Sequence, residues 1–322
     1  MEWSHLGLAR RPFRPAVDTT SYFPAAAHEA ALAALAAAFD RRDAAVLIDG
    51  PPGTGKSLVA RRWLEHLPPD VPRVLLPNTH ADRPAELLQA VLFDLDRPYQ
   101  GLTEQELRLA VTAELLAAAA TGHPTVLLLD EAQHLGPAAG EELRLLGNVE
   151  TAGGGSLLVV LVAQPGFRDA LAGPFAQRVA VRCRVGPLSA EESAAYLRHQ
   201  VRAAGGDPDA VLDGAAVALL AGACGGVPRV LNQAAGLAAE LAESVGAGTI
   251  DVEAALEALS RLGLAAEPDE AAEPAVIPHP ARPAEPAQAA RSRSRAGLNA
   301  AGGGDANSGA APKQKPARKR SA

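Results

Sequence analysis

The chain holds little sulfur and few rings. Its two cysteines, Cys183 and Cys224, stand in no metal-binding spacing such as C-x-x-C. They therefore supply neither a disulfide framework nor a zinc site, and read as ordinary thiols of a reducing compartment. Methionine occurs once, tryptophan twice, and aromatics make up 3% of 322 residues, none of them after Tyr196. Nearly half of the residues are apolar (48%), so a core is affordable only if Leu, Val and Ala build it. The length admits one large domain or two modest ones. No apolar run reaches the roughly 18 residues that span a bilayer. Arg10, Arg11 and Pro12 are followed by no apolar segment, so no signal peptide is expected and the cytoplasm is the expected compartment.

Lysine is the scarcest of the common charges. Of thirty basic residues only four are lysines, and Lys56 is the only one before Lys313. Charge is also unevenly spread. Residues 281–322 carry nine basic and two acidic side chains, net +7, which leaves −14 of the overall −7 on residues 1–280. An acidic body with a basic tail is expected. The arginine- and alanine-rich composition hints at a GC-rich bacterial source.

What is present is an alternation of apolar runs and helical periods. Ala44–Asp49, Arg73–Asn78, Thr125–Asp130, Ser156–Ala163 and Val179–Val185 are short and nearly continuous in apolar side chains, the pattern of strands buried on both faces. Helical periods separate them, at about 26–39, 58–67, 84–95 and 104–120. Five such runs between helices predict an α/β fold around a parallel sheet. From Ser189 to Leu264 only helical periods remain, which predicts a small all-α lid. After that the chain is Ala, Pro, Gly and charge with no apolar period, and such composition cannot offset chain entropy, so a disordered tail is expected. The expected organisation is an N-terminal linker and helix (1–43), an α/β domain (44–187), a helical lid (188–264) and the tail (265–322). No internal repeat is found.

The loop after the first run reads Gly50-Pro51-Pro52-Gly53-Thr54-Gly55-Lys56-Ser57, which fits G-x-x-x-x-G-K-[ST] at every fixed position. It lies between a strand and a helix, where backbone N–H groups converge on phosphate oxygens at a helix N-terminus. Lys56 would reach the β and γ phosphates, and the Ser57 hydroxyl would ligate magnesium. A compact ammonium fits between phosphate oxygens where a planar guanidinium does not, which explains a lysine in a chain that otherwise uses arginine. The third run ends in Asp130-Glu131. At the end of an apolar strand this pair suits a magnesium-holding Asp130 and a Glu131 that orients or deprotonates water. An acidic pair there could equally cap the next helix, and the P-loop upstream favours the chemical reading.

Three further polar residues are candidates. Gln164 follows the fourth run and could contact a γ-phosphate or the water, or simply form the turn before Pro165. Arg229, in Gly225-Gly226-Val227-Pro228-Arg229, opens a lid helix, a poor place for a cation unless an anion is near. Arg178 precedes the fifth run and is a candidate for an arginine offered to a neighbouring subunit, with Arg168 and Arg182 as competitors.

Taken together these residues resemble the AAA+ ATPases, and within them the ExeA/GspA-type secretion ATPases. The resemblance runs from about His5 to Gly263. It is carried by Leu6-Gly7-Leu8, Pro12-Phe13, His28-Glu29-Ala30-Ala31-Leu32, Asp130-Glu131-Ala132-Gln133-His134-Leu135, Val162-Ala163-Gln164-Pro165, Gln177-Arg178-Val179, Gly186-Pro187-Leu188-Ser189 and Gly226-Val227-Pro228-Arg229. It implies a P-loop NTPase with strand order 5-1-4-3-2, ATP and Mg2+ as cofactors, Gln164 as sensor 1, Arg229 as sensor 2, and a homo-oligomeric ring or filament. It also implies a protein partner in a secretion or cell-envelope complex. Transposition ATPases of the TniB/MuB type are similar through the same motifs; with that resemblance the basic tail would be a contact for DNA, while its other reading is a solubilising low-complexity extension. The loop departs from the GEVGTGKT form common in secretion members, and neither their transmembrane segment nor their peptidoglycan-binding domain is recognisable here. A small-molecule P-loop kinase would need an acceptor pocket that the lid sequence does not suggest.

Overall fold

The computed structural model describes residues 3, 5–15, 18–151, 154–167 and 175–264. The expected tail, from residue 265, and Arg168 lie outside the described residues.

Five strands form one parallel sheet: β1 (Ala45–Asp49), β2 (Arg73–Leu76), β3 (Thr125–Leu129), β4 (Leu157–Ala163) and β5 (Val179–Arg184). Their order is β2-β3-β4-β1-β5, which is 5-1-4-3-2 read from the other edge. The strands end within two residues of the apolar runs. The sequence periods did not reveal a small antiparallel hairpin, Glu150–Thr151 with Gly154–Gly155, that precedes β4.

The continuity of the runs has a simple cause. Successive side chains alternate between the faces of the sheet, and both faces are covered. On one face Leu47, Leu127, Leu129, Val159 and Leu161 meet α3 (Pro84–Asp94), α4 (Glu104–Ala120) and α5 (Pro137–Leu146). On the other Val46, Ile48, Leu128 and Val160 meet α1 (Ala26–Arg41) and α2 (Lys56–Glu65). Each fully buried Leu or Val contributes about 1.5–3 kcal/mol, so apolar side chains at every strand position are favoured only in such a sandwich. The edge strand β5 differs. Val181 and Cys183 pack inward, while Ala180, Arg182 and Arg184 are exposed, and arginines on an open edge discourage pairing with another sheet.

The remaining helices are α6 (Ala190–Ala203), the short α7 (Pro208–Val211), α8 (Gly214–Ala223), α9 (Pro228–Ser244) and α10 (Val252–Arg261). Ser189 starts α6 with a reciprocal cap: its hydroxyl accepts from the Glu192 N–H, and Glu192 accepts from the Ser189 N–H, both at 3.0 Å. The other Glu192 oxygen accepts from the Ala26 N–H at 3.0 Å, tying this helix to the start of α1. In α9, Ala234, Ala235, Ala238, Ala239 and Ala242 form a fully buried stripe of small side chains that lets neighbouring helices approach closely. The N-terminal segment expected as a linker lays Leu6, Leu8 and Phe13 into this same core. Among the described residues no helix is long and apolar enough to cross a membrane.

Candidate nucleotide-binding site

The carboxyl ends of β1, β3 and β4 open on one cleft, and each delivers a polar residue to it. That is where ligands bind in open parallel α/β sheets.

From β1 the chain turns through Gly50–Gly55 into α2, whose first residues are Lys56 and Ser57. Two of the glycines are required by space. A Cβ on Gly50 would lie 2.0 Å from the Val185 carbonyl oxygen. Gly53, at φ +81°, would place one 2.9 Å from the Cβ of Arg229. The Gly53 carbonyl also accepts the Arg229 N–H at 3.2 Å, so the loop and the first turn of α9 are in direct contact. Lys56 is buried, and its Nζ donates to the carbonyls of Gly50 and Pro51, each at 2.8 Å. Burial lowers its pKa, and Arg229 acts in the same sense, against the opposing pull of Glu131, Asp130 and Asp49. The loop thus holds a cation whose desolvation outweighs the pull of the carboxylates around it.

From β3 come Asp130 and Glu131. The Ser57 hydroxyl donates to Asp130 Oδ1 at 3.0 Å, and the Glu131 N–H donates to the same oxygen at 3.0 Å. Thr79, beyond β2, secures the strand end by donating its hydroxyl (2.8 Å) and N–H (3.1 Å) to the Asp130 carbonyl. Asp130 is only 5% exposed, and burial raises its pKa despite the Ser57 and Glu131 donors. Glu131 is shifted the other way. Gln133 and Gln164 donate to its Oε2, the latter at 3.3 Å, and these bonds, Gln133 first, outweigh desolvation and hold the carboxyl below its usual range. Neighbouring carboxyls shifted in opposite directions suit two different tasks, a pattern of functional sites.

From β4 comes Gln164, and from α9 Arg229, which together with Lys56, Ser57 and Glu131 line the cleft. Of the residues singled out in the sequence, Gly50–Ser57, Asp130, Glu131, Gln164 and Arg229 converge here. Arg178 does not. It ends a short 3-10 turn before β5, and Val179 pairs with Ala45 at the start of β1, roughly 13 Å of strand from Asp49 at about 3.3 Å per residue. Its guanidinium donates to the Gly147 carbonyl at 3.0 Å and to the Asn148 side chain. The competitor Arg182 is exposed on β5, bonded weakly to the Ala176 carbonyl at 3.4 Å.

Two contributors escaped the sequence reading. His28 of α1 is buried, and its Nε2 lies 2.8 Å from the Thr54 carbonyl, bracing the P-loop from behind. Gln133 joins Glu131 to Gln164. Both belong to stretches that carry the family resemblance, but neither was given a role there; the contact of His28 spans 26 residues. The N-terminal segment also reaches the cleft, through Arg14, Asp18 and Phe23.

Comparison with known proteins bears on the family and the fold. Residues 40–171 match the family described as the AAA domain. Over 231 residues the chain is 33% identical to the general secretion pathway protein A of Aeromonas hydrophila, covering 70% of this chain and 42% of that protein. The chain thus spans less than half the length of that curated relative. Among solved structures, Cdc6p from Pyrobaculum aerophilum is similar at a TM-score of 0.61 and 17% identity, over 81% of this chain and 71% of that one. The Aeropyrum pernix ORC1 protein in complex with DNA gives 0.59 and 21%, over 76% and 67%. The Thermotoga maritima RuvB Holliday junction branch migration motor gives 0.51 and 18%, over 73% and 68%. At these identities the structural likeness speaks for the fold alone.

Proposed function

Starting from a chain that carries an AAA domain on a P-loop NTPase fold, we propose that it binds ATP with magnesium, hydrolyses it, and couples nucleotide state to oligomeric assembly or to remodelling of a partner complex. The observation that carries this reading is the convergence on one cleft of Lys56, the Ser57–Asp130 pair, Glu131, Gln164 and Arg229.

Magnesium fits the donor set. Ser57 and Asp130 offer hard oxygens already 3.0 Å apart, and this ion favours oxygen ligands, few of them from protein. When bound it would neutralise charge building on the β and γ phosphates. The rest falls to the chain itself. Lys56 exchanges the Gly50 and Pro51 carbonyls for phosphate oxygens, while the loop N–H groups cradle the phosphates at the start of α2. Glu131, ionised throughout the neutral range, orients the attacking water and accepts its proton. Gln164 donates to the water or the γ-phosphate. Arg229 senses the phosphates from α9, whose first turn already touches Gly53. Arg178, remote from the cleft of its own chain, acts on a neighbour's nucleotide in a ring or filament.

The partner in this reading is a secretion or cell-envelope complex approached from the cytoplasm, by analogy with the general secretion pathway relative. A second reading, an ATP-controlled DNA-binding assembly factor, rests on one observation, the net +7 over residues 281–322. Salt-dependent DNA binding that disappears on deleting those residues would favour it. The hydrolytic reading is tested by phosphate release and light scattering on wild type and Glu131→Gln. The expected result is turnover by wild type only, with ATP-dependent assembly retained by the variant. Wild type that binds ATP without turning it over would leave a nucleotide-gated scaffold instead.

A further inference from the structure

Glu131 and Gln164 leave different strands, yet their side chains meet, and a single amide joins them. Gln133 Nε2 donates to Glu131 Oε2, and Gln133 Oε1 accepts the backbone N–H of Gln164 at 3.2 Å. Chemistry leaves this amide one orientation. A carboxylate only accepts and a backbone N–H only donates, so turning the amide over would set oxygen against oxygen and N–H against N–H. The backbone contributes as well. Glu131 sits at φ 53°, ψ 40°, left-handed for a residue with a side chain, and the turn Ala132–His134 that follows brings Gln133 back beside it. Uncommon backbone conformations of this kind persist where the surroundings over-determine them, frequently at functional sites. Here the surroundings include Asp130 Oδ1, which accepts the Glu131 N–H, and the Gln133 bridge.

Resting on the hydrolytic reading of this cleft, we propose that Gln133 is a positioning residue: it holds the Glu131 carboxylate in place and ties it to the end of β4. Gln133 does not line the cleft among the residues around Lys56, so its effect passes through Glu131 and Gln164. It governs turnover and leaves nucleotide affinity to the P-loop. The competing account of the same contacts is that Gln133 merely caps the Gln164 N–H at the end of a strand.

Two substitutions separate these accounts. Gln133→Glu keeps an oxygen for the Gln164 N–H and replaces the donor to Glu131 with a repelling carboxylate. Gln133→Met removes both bonds at similar size. Single-turnover ATP hydrolysis, affinity for a non-hydrolysable ATP analogue with magnesium, and melting temperature are measured on the full chain, beside wild type and Glu131→Gln. Misplacing a catalytic group by about 1 Å costs on the order of 100-fold in rate, and that loss is expected for both Gln133 variants. Affinity should stay within about twofold, since only the chemical step is touched. Gln133→Glu turning over at the wild-type rate, or losing affinity in proportion to rate, overturns the proposal and leaves the strand cap. If wild type hydrolyses ATP and Glu131→Gln does not, that failure belongs to Gln133 alone. An inactive wild type would bring down the hydrolytic reading, and this proposal with it.

Discussion

The two ends of the central sheet are built to different rules. At the amino ends of the strands polar groups are spent on one another. Ser156 donates its hydroxyl and its N–H to the Val149 carbonyl, and its own carbonyl takes the Thr125 N–H at 2.9 Å. At the carboxyl ends, Lys56 and Asp130 are buried against the preference of their charged forms. The first arrangement serves stability. The second, at a cost to the free protein, sets charges where the proposed polyphosphate and cation would meet them.

The largest effect that would sharpen this contrast is at Glu131. Glu131→Gln should lower turnover by about 10³-fold, within the range of general-base losses, with ATP binding preserved in an equilibrium titration. Next comes Arg178, at the far end. Arg178→Ala should cut turnover by about 10³-fold or somewhat less if it serves a neighbour. Mixing it with Lys56→Ala should then restore activity that neither variant has alone; a mixture as inactive as its parts would assign Arg178 a purely structural role.

Smaller effects concern stability. Asp130 titrates above its unfolded value in the folded chain, so its contribution to stability is intact below the unfolded value and is lost as pH rises from there through the folded value, leaving the ionised form as a burden on the fold at neutral pH. Asp130→Asn keeps an oxygen for Ser57 and Glu131 and removes the charge. At neutral pH it should raise the melting temperature of the nucleotide-free protein by on the order of 2 °C while abolishing magnesium-dependent turnover. Ser156→Ala should do the reverse, costing about 1 kcal/mol in chemical denaturation with turnover unchanged. A melting temperature lowered by Asp130→Asn, or turnover lost in Ser156→Ala, would dissolve the distinction between the two ends.

What could be read in advance follows from how local each signal is. The P-loop and the Asp130–Glu131 pair are contiguous patterns whose meaning depends on the strand before them. That strand is betrayed by a run apolar at every position, because both faces of the sheet are covered. The strand order came through the family resemblance, and the register confirms it. Contacts between distant segments were not legible, even where the residues belonged to stretches that carry the resemblance. His28 bracing Thr54, Leu6 and Phe13 entering the helical core, and Gln133 reaching Gln164 are meetings of residues whose spacing obeys no period. That Val179–Val185 is an edge strand likewise came from the implied order, and the packing adds that Arg182 and Arg184 face outward.

The central claim is that the carboxyl end of this sheet hydrolyses ATP with magnesium through Lys56. Phosphate release should be followed for wild type and Lys56→Ala, each with magnesium and with a chelator in its place. The account predicts release only by wild type with magnesium. Equal release by Lys56→Ala, or by wild type under the chelator, would contradict it.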